Sequence, residues 1–65
     1  MTLHDLLEVL SRNDHITLYG DSDRLIGYFD YPWTEIPKKG PYLEYCDVVG
    51  INVCRANELC VFIEE

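Results

Sequence analysis

Basic residues are scarce in this sequence. It contains five Lys and Arg against twelve Asp and Glu, and its formal net charge at pH 7 is −7. Affinity for nucleic acid comes largely from Lys and Arg side chains that displace counterions from phosphates, so direct binding to DNA or RNA is disfavoured. Anionic membrane surfaces are disfavoured for the same reason. The charge favours a basic protein surface as partner, and the alternative is that it serves only solubility.

Long apolar runs are also missing. No stretch approaches the roughly 20 consecutive apolar residues that a membrane-spanning helix needs. The first residues, Met1 to Asp5, lack the basic region that opens a signal peptide. We therefore expect no membrane association and a cytoplasmic location.

The chain is too short for a large core. Its 65 residues predict a single domain over 1–65, and a chain of this size buries only about 60% of the surface that it exposes when unfolded. A deep cleft would remove residues from that thin core. The sequence also has no nucleophile motif and no glycine-rich phosphate loop. We expect a protein that is not an enzyme, with no catalytic residues and no cofactor.

Cysteine is limited to Cys46, Cys54 and Cys60. These residues lack the closely spaced pair that opens most zinc sites. The acidic turn at 21–23 lacks the further oxygen ligands of a calcium loop, so no metal site is predicted. In the final hairpin Cys54 and Cys60 come opposite each other, where a disulfide has suitable geometry. Packed free thiols are the favoured interpretation, since reduced cysteine is the default in the cytosol.

Apolar periodicity predicts an α+β fold, with an N-terminal helix packed on a small antiparallel sheet of two β-hairpins. Residues 2–11 form the helix, with Thr2 as its N-cap and Asp5 completing a capping box. One face of this helix is apolar and carries Leu3, Leu6, Leu7 and Leu10.

Alternating residues predict four strands. The first hairpin has strands over 15–19 and 24–30, and Gly27 inside the second strand suggests a bulge or a close backbone approach. The final hairpin has strands over 47–55 and 59–64. Its alternation predicts a core face, with Val53 opposite Val61 and Ile51 opposite Ile63. The core face would consist of Val49, Ile51, Val53, Leu59, Val61 and Ile63.

The segment between the hairpins is rich in aromatics and prolines. Three prolines exclude regular structure over most of residues 31–46, apart from a short helical turn near 34–36. Carboxylates are interleaved with the aromatic side chains. Tyr and Trp anchor protein interfaces and carboxylates pair with Arg, so this segment is typical of a partner-binding loop. The alternative is that Phe29 and Trp33 simply cover the core.

Two motifs resemble short proteins of Gram-positive phages and mobile elements. One is the opening Met1 to Leu10, and the other is the hairpin with Leu18-Tyr19-Gly20-Asp21 and the run Leu25 to Asp30, followed by Ile36-Pro37. Some small acidic phage proteins of this shape are anti-CRISPR inhibitors that occupy the site on Cas9 that binds the PAM duplex. The resemblance implies an inhibitor class and assigns no role to an individual residue.

The sequence therefore predicts a small acidic inhibitor of a host nucleic-acid-binding protein, with a Cas9-type effector as the leading partner. Carboxylates on a rigid sheet would imitate phosphates and block the basic DNA-binding groove. The predicted partner-binding residues are Asp21, Asp23, Asp30, Tyr31, Trp33, Glu35, Tyr42, Glu44 and Asp47. The alternative is a regulatory adaptor that binds through the aromatic loop 31–45. A homodimer through an unpaired sheet edge also remains open.

Overall fold

The computed structural model describes all residues, 1–65, and confirms the α+β class. Its helices are α1 (Leu3–Val9) and α2 (Ile36–Lys39), and its strands are β1 (His15–Tyr19), β2 (Leu25–Asp30), β3 (Asp47–Arg55) and β4 (Glu58–Glu64). Single turns of 3-10 helix lie at Asp21–Asp23 and Leu43–Tyr45. Neither α-helix has the length and apolar character needed to cross a membrane.

Helix α1 begins with the predicted capping box. The Thr2 hydroxyl accepts from the Asp5 backbone N–H at 3.2 Å, and the Asp5 carboxylate accepts from the Thr2 N–H at 3.1 Å. The helix ends at Val9 and does not continue to residue 11 as predicted. Here the Asp14 carboxylate accepts from the Ser11 N–H at 2.8 Å, and such local bonds compete with helix continuation.

The sheet has the strand order β2-β1-β4-β3. Both predicted hairpins are present, with β1 antiparallel to β2 and β3 antiparallel to β4. They are joined by a parallel pairing of β1 with β4, so the sheet is mixed where a wholly antiparallel one was expected. This order places the two best-buried strands in the centre and leaves β2 and β3 as edges.

One face of the central strands is covered by α1 and by residues 31–46. The connection contributes Trp33, Ile36 and Leu43 to the core, so the interpretation that Trp33 and Phe29 cover the core is confirmed. The full buried core consists of Leu3, Leu6, Leu7, Ile16, Leu18, Phe29, Trp33, Ile36, Leu43, Val61 and Ile63.

The predicted register of the final hairpin is wrong by two residues. Ile51 pairs with Val61 and Val53 pairs with Leu59. A bulge between Val48 and Gly50 shifts the start of β3, so that Val48 pairs with Ile63 and packs against the core.

The prediction of a buried β3 is also wrong. Val49, Ile51 and Val53 are 61%, 43% and 74% exposed. Directly paired residues share a face of the sheet, so Ile51 and Val53 do point to the side of the core. They stay exposed because no element packs over this part of the sheet.

Cys54 and Cys60 are joined by a disulfide, contrary to the expected free thiols, and their Cα atoms are 6.5 Å apart. The direct partner of Cys60 across the hairpin is Asn52, so the bond joins diagonal positions. The diagonal approach coincides with a second register shift, between Val53 and Arg55. Cys46 is the remaining free thiol.

Candidate partner-binding groove

A groove of about 320 Å³ opens between α1 and the connection that follows β2. This volume is at the small end of ligand sites, which suits a single side chain of a partner better than a large organic ligand. The helix supplies one wall and the connection supplies the other. The groove is lined by His4, Leu7, Glu8, Pro32, Trp33, Thr34, Pro37 and Glu44.

Trp33 is held in an uncommon backbone conformation. Its φ is 70°, in the left-handed region that large side chains rarely adopt and that costs on the order of 1–3 kcal/mol. Two turns fix it there, since Trp33 N–H donates to the Asp30 carbonyl at 2.8 Å and Ile36 N–H donates to the Trp33 carbonyl at 3.2 Å. The conformation places the indole in the core, where it is 8% exposed.

The indole of Trp33 has an unsatisfied donor. Its Nε1 is buried and has no hydrogen-bond partner, and a buried donor left unpaired costs on the order of 1–3 kcal/mol. The ring of Tyr31 stands edge-on to the indole, with the centroids 6.3 Å apart.

Two carboxylates flank a histidine at the mouth of the groove. His4 Nε2 lies 2.8 Å from Glu8 and His4 Nδ1 lies 3.6 Å from Glu44. Glu44 is the less exposed carboxylate, with 30% of its side chain accessible against 66% for Glu8. Carboxylates beside prolines and an indole suit a guanidinium or ammonium group, which pairs with the charges while its stem packs on the apolar wall.

A second group of carboxylates lies at the end of the sheet where β4 finishes. Glu65 accepts from the Arg24 guanidinium and from the Tyr42 hydroxyl, the latter at 3.0 Å, and its N–H donates to Asp21 at 3.1 Å. The bond from Arg24, followed by that from Tyr42, lowers the pKa of Glu65 below its ordinary value. The same contact with Glu65 raises the pKa of Tyr42.

The free thiol of Cys46 is close to this acidic end. Burial raises its pKa, and the negative charges of Glu65, Asp21 and Asp47 raise it further. This thiol is therefore held in its neutral form. The five carboxylates of this end of the sheet, called the acidic end below, are Asp21, Asp23, Asp47, Glu64 and Glu65.

The structure distributes the predicted site residues over three places. Trp33 and Glu44 come together in the groove, with Tyr31 beside them. Glu35 belongs to the same connection and pairs with Lys38 at 2.9 Å. Three others, namely Asp21, Asp23 and Asp47, belong to the acidic end, where Tyr42 contacts Glu65.

Asp30 is separated from the other predicted residues. It lies at the opposite end of the sheet, where β1 begins and β2 ends. There its carboxylate is 2.5 Å from Nδ1 of His15, its partner across the two strands. The predicted carboxylates therefore do not form one continuous row.

Six of the eight groove residues were not predicted as binding residues, and His4 and Glu8 are the titratable ones among them. Their spacing of four residues on a helix was visible and predicts that they are neighbours. Nothing local shows that Glu44, which is distant in sequence, folds onto the same surface. No protein-family model, curated protein or solved structure matches this chain.

Proposed function

We propose that the chain is a non-enzymatic protein-interaction module that seats a basic side chain of its partner in the groove between α1 and the connection. The observation that carries this proposal is the arrangement of Glu8 and Glu44 around His4 beside a wall of two prolines and an indole ring. A peptide segment with Arg fits this arrangement. Its guanidinium pairs with the carboxylates, and its methylene stem packs against the prolines and the Trp33 ring.

The surroundings of the groove support a protein partner. Interface hot spots are enriched in Trp, Tyr and Arg, and Tyr31 stands 53% exposed next to the buried Trp33. The net charge of −7 draws a basic partner toward the chain as a whole. The groove then selects the position at which one basic side chain enters.

The test uses an Arg-containing peptide and its citrulline analogue as probes, followed by NMR. We expect the Arg peptide to shift the Trp33 indole resonance and the citrulline peptide to leave it unchanged. Glu44→Gln should weaken Arg-peptide binding by about tenfold, since a hydrogen bond to a charged group is lost. Glu64→Gln is the matched control, because it makes the same charge change at the acidic end. Equal weakening by both variants, or equal binding of both peptides, would refute the proposal that the groove binds an Arg side chain.

A second proposal concerns the acidic end. It retains the inhibitor hypothesis, in which the chain works in a bacterial host and blocks the DNA-binding groove of a host protein, with a Cas9-type effector as leading partner. The supporting observation is that three predicted phosphate surrogates, Asp21, Asp23 and Asp47, share that end with the last two glutamates. Arg24 contacts one carboxylate of this end, that of Glu65.

Competition experiments separate the two proposals. If the acidic end imitates phosphates, binding to a Cas9-type effector should fall steeply with salt and should be displaced by PAM-containing duplex DNA. Asp21→Asn with Asp47→Asn should weaken that binding, while Glu44→Gln should leave it intact. Binding that resists both salt and duplex DNA would exclude the inhibitor mechanism.

A further inference from the structure

We propose that the outer edge of β3 pairs antiparallel with β3 of a second copy of the chain, with the two-fold axis at Asn52. The resulting homodimer would join two four-stranded sheets into one continuous sheet. This inference is independent of the groove proposal, because β3 contributes no residue to the groove.

The edge is free over most of its length. β3 has β4 as its single strand neighbour. At the start of the strand, Thr2 forms a bridge with Asp47, and Val48 N–H donates to the Met1 carbonyl at 2.8 Å. Residues 49–55 have no such cover. An uncovered edge offers unpaired N–H and C=O groups that another strand can bond.

The side chains along this edge form an exposed aliphatic strip. Val49, Ile51 and Val53 are each at least 43% exposed. Ile51 and Val53 lie on the same face as their partners Val61 and Leu59, the first of which is fully buried. The strip therefore extends the apolar face of each copy to the edge, and pairing of two edges would bring the two strips into lateral contact.

The lack of charge along this edge favours a second copy of the chain as its partner. The chain has a net charge of −7, yet residues 48–54 contain no charged side chain. Edge strands are usually protected by charged residues or proline, and this segment has neither. A basic partner finds no carboxylate on the strip, whereas a second copy can approach here without bringing its carboxylates against those of the first.

The N-terminal segment restricts the register. A two-fold axis at Ile51 would place Arg55 of the second copy beside Asp47, and Thr2 already occupies that position. An axis at Asn52 avoids this collision. It pairs Ile51 with Val53 of the second copy, and by symmetry Val53 with Ile51 of the second copy. Such an isologous contact closes as a dimer.

The first experiment measures the oligomeric state by sedimentation over a concentration series. We expect a monomer–dimer equilibrium for the wild type and a dimer about tenfold weaker for Val53→Lys, because two symmetry-related cross-strand pairs are lost together. Val9→Lys is the matched control, since Val9 on α1 is 74% exposed, as Val53 is. A wild type that stays monomeric up to about 1 mM, or a Val53→Lys dimer of unchanged strength, would overturn the proposal.

The second experiment needs no variant. Amide hydrogen exchange is compared between dilute and concentrated wild type. Amides within residues 49–55 should gain protection on concentration, and those of the other edge strand, β2, should not. Protection gained at β2 and absent from β3 would assign the dimer to a different surface and contradict the inference. Glu44→Gln should leave the dimer unchanged, so failure of the groove proposal and failure of the dimer are distinguishable.

Discussion

The sheet has a covered half, which contains the central strands β1 and β4, and a bare half, which is the edge strand β3. β1 and β4 lie under α1 and the connection, and their core-facing residues Ile16, Leu18, Val61 and Ile63 are at most 1% exposed. β3 carries apolar residues at the same spacing, yet Ile51 and Val53 stay exposed. The two halves differ little in strand composition. The comparison shows that alternation determines which face a residue occupies, whereas burial depends on whether another element reaches that face.

Truncation of one isoleucine in each half should show the difference between the two halves most clearly. Ile63→Ala removes a side chain that is 1% exposed and should lower the free energy of unfolding by about 2–5 kcal/mol. Ile51→Ala makes the same chemical change at a site that is 43% exposed, and the loss should stay below about 1 kcal/mol. Urea unfolding of dilute samples measures both values. Similar losses would show that β3 is covered in solution.

Loss of the disulfide should have the next largest effect. β3 buries few side chains that could stabilise it. The Cys54–Cys60 bond closes a loop across a sequence separation of six residues. Chain-entropy arguments give such a loop a contribution of about 2 kcal/mol. Reduction of the wild type, or the pair Cys54→Ser and Cys60→Ser, should therefore lower the melting temperature. Cys46→Ser provides a cysteine control. A wild type whose melting is insensitive to reductant would contradict the assigned bond.

The smallest expected effect concerns the acidic end and depends on pH. The pKa of Glu65 is lowered in the folded state, chiefly by Arg24 and then by Tyr42. Its contribution to stability is therefore fully present above the unfolded Glu pKa of about 4.3. That contribution is lost as the pH falls through the lower folded value.

Unfolding of Glu65→Gln across a pH series tests this assignment. The variant should be less stable than the wild type at neutral pH, and the difference should shrink below about pH 4.3. Glu64→Gln serves as the neighbouring control. A difference between Glu65→Gln and the wild type that is independent of pH would indicate that the Arg24 contact is not formed.

Local signals in the sequence predicted much of the fold. The capping box at Thr2 and Asp5, the alternation of β1 and the two hairpins each depend on residues close together in the chain. These features give the helix start, strand positions and fold class. The end of α1 was predicted too late, because the bond from Ser11 to Asp14 competes with the helix.

The remaining features depend on contacts that no local pattern contains. The parallel pairing of β1 with β4 joins residues far apart in sequence. The shift between Val53 and Arg55 sets the register of the final hairpin and the position of Cys54 relative to Cys60. Trp33 and Glu44 were predicted as binding residues, but their meeting with His4 and Glu8 depends on how residues 31–46 cross the helix.

The central position of β4 has a consequence for the order of assembly. β4 is the last strand in the chain, yet it lies between β1 and β3 and supplies Val61 and Ile63 to the core. The first hairpin can therefore complete its sheet only after residues 58–64 have paired with β1. Non-local pairings of this kind are reached late, after the entropy of closing a long loop has been overcome. The sheet would therefore close in one step, when β4 docks between β1 and β3.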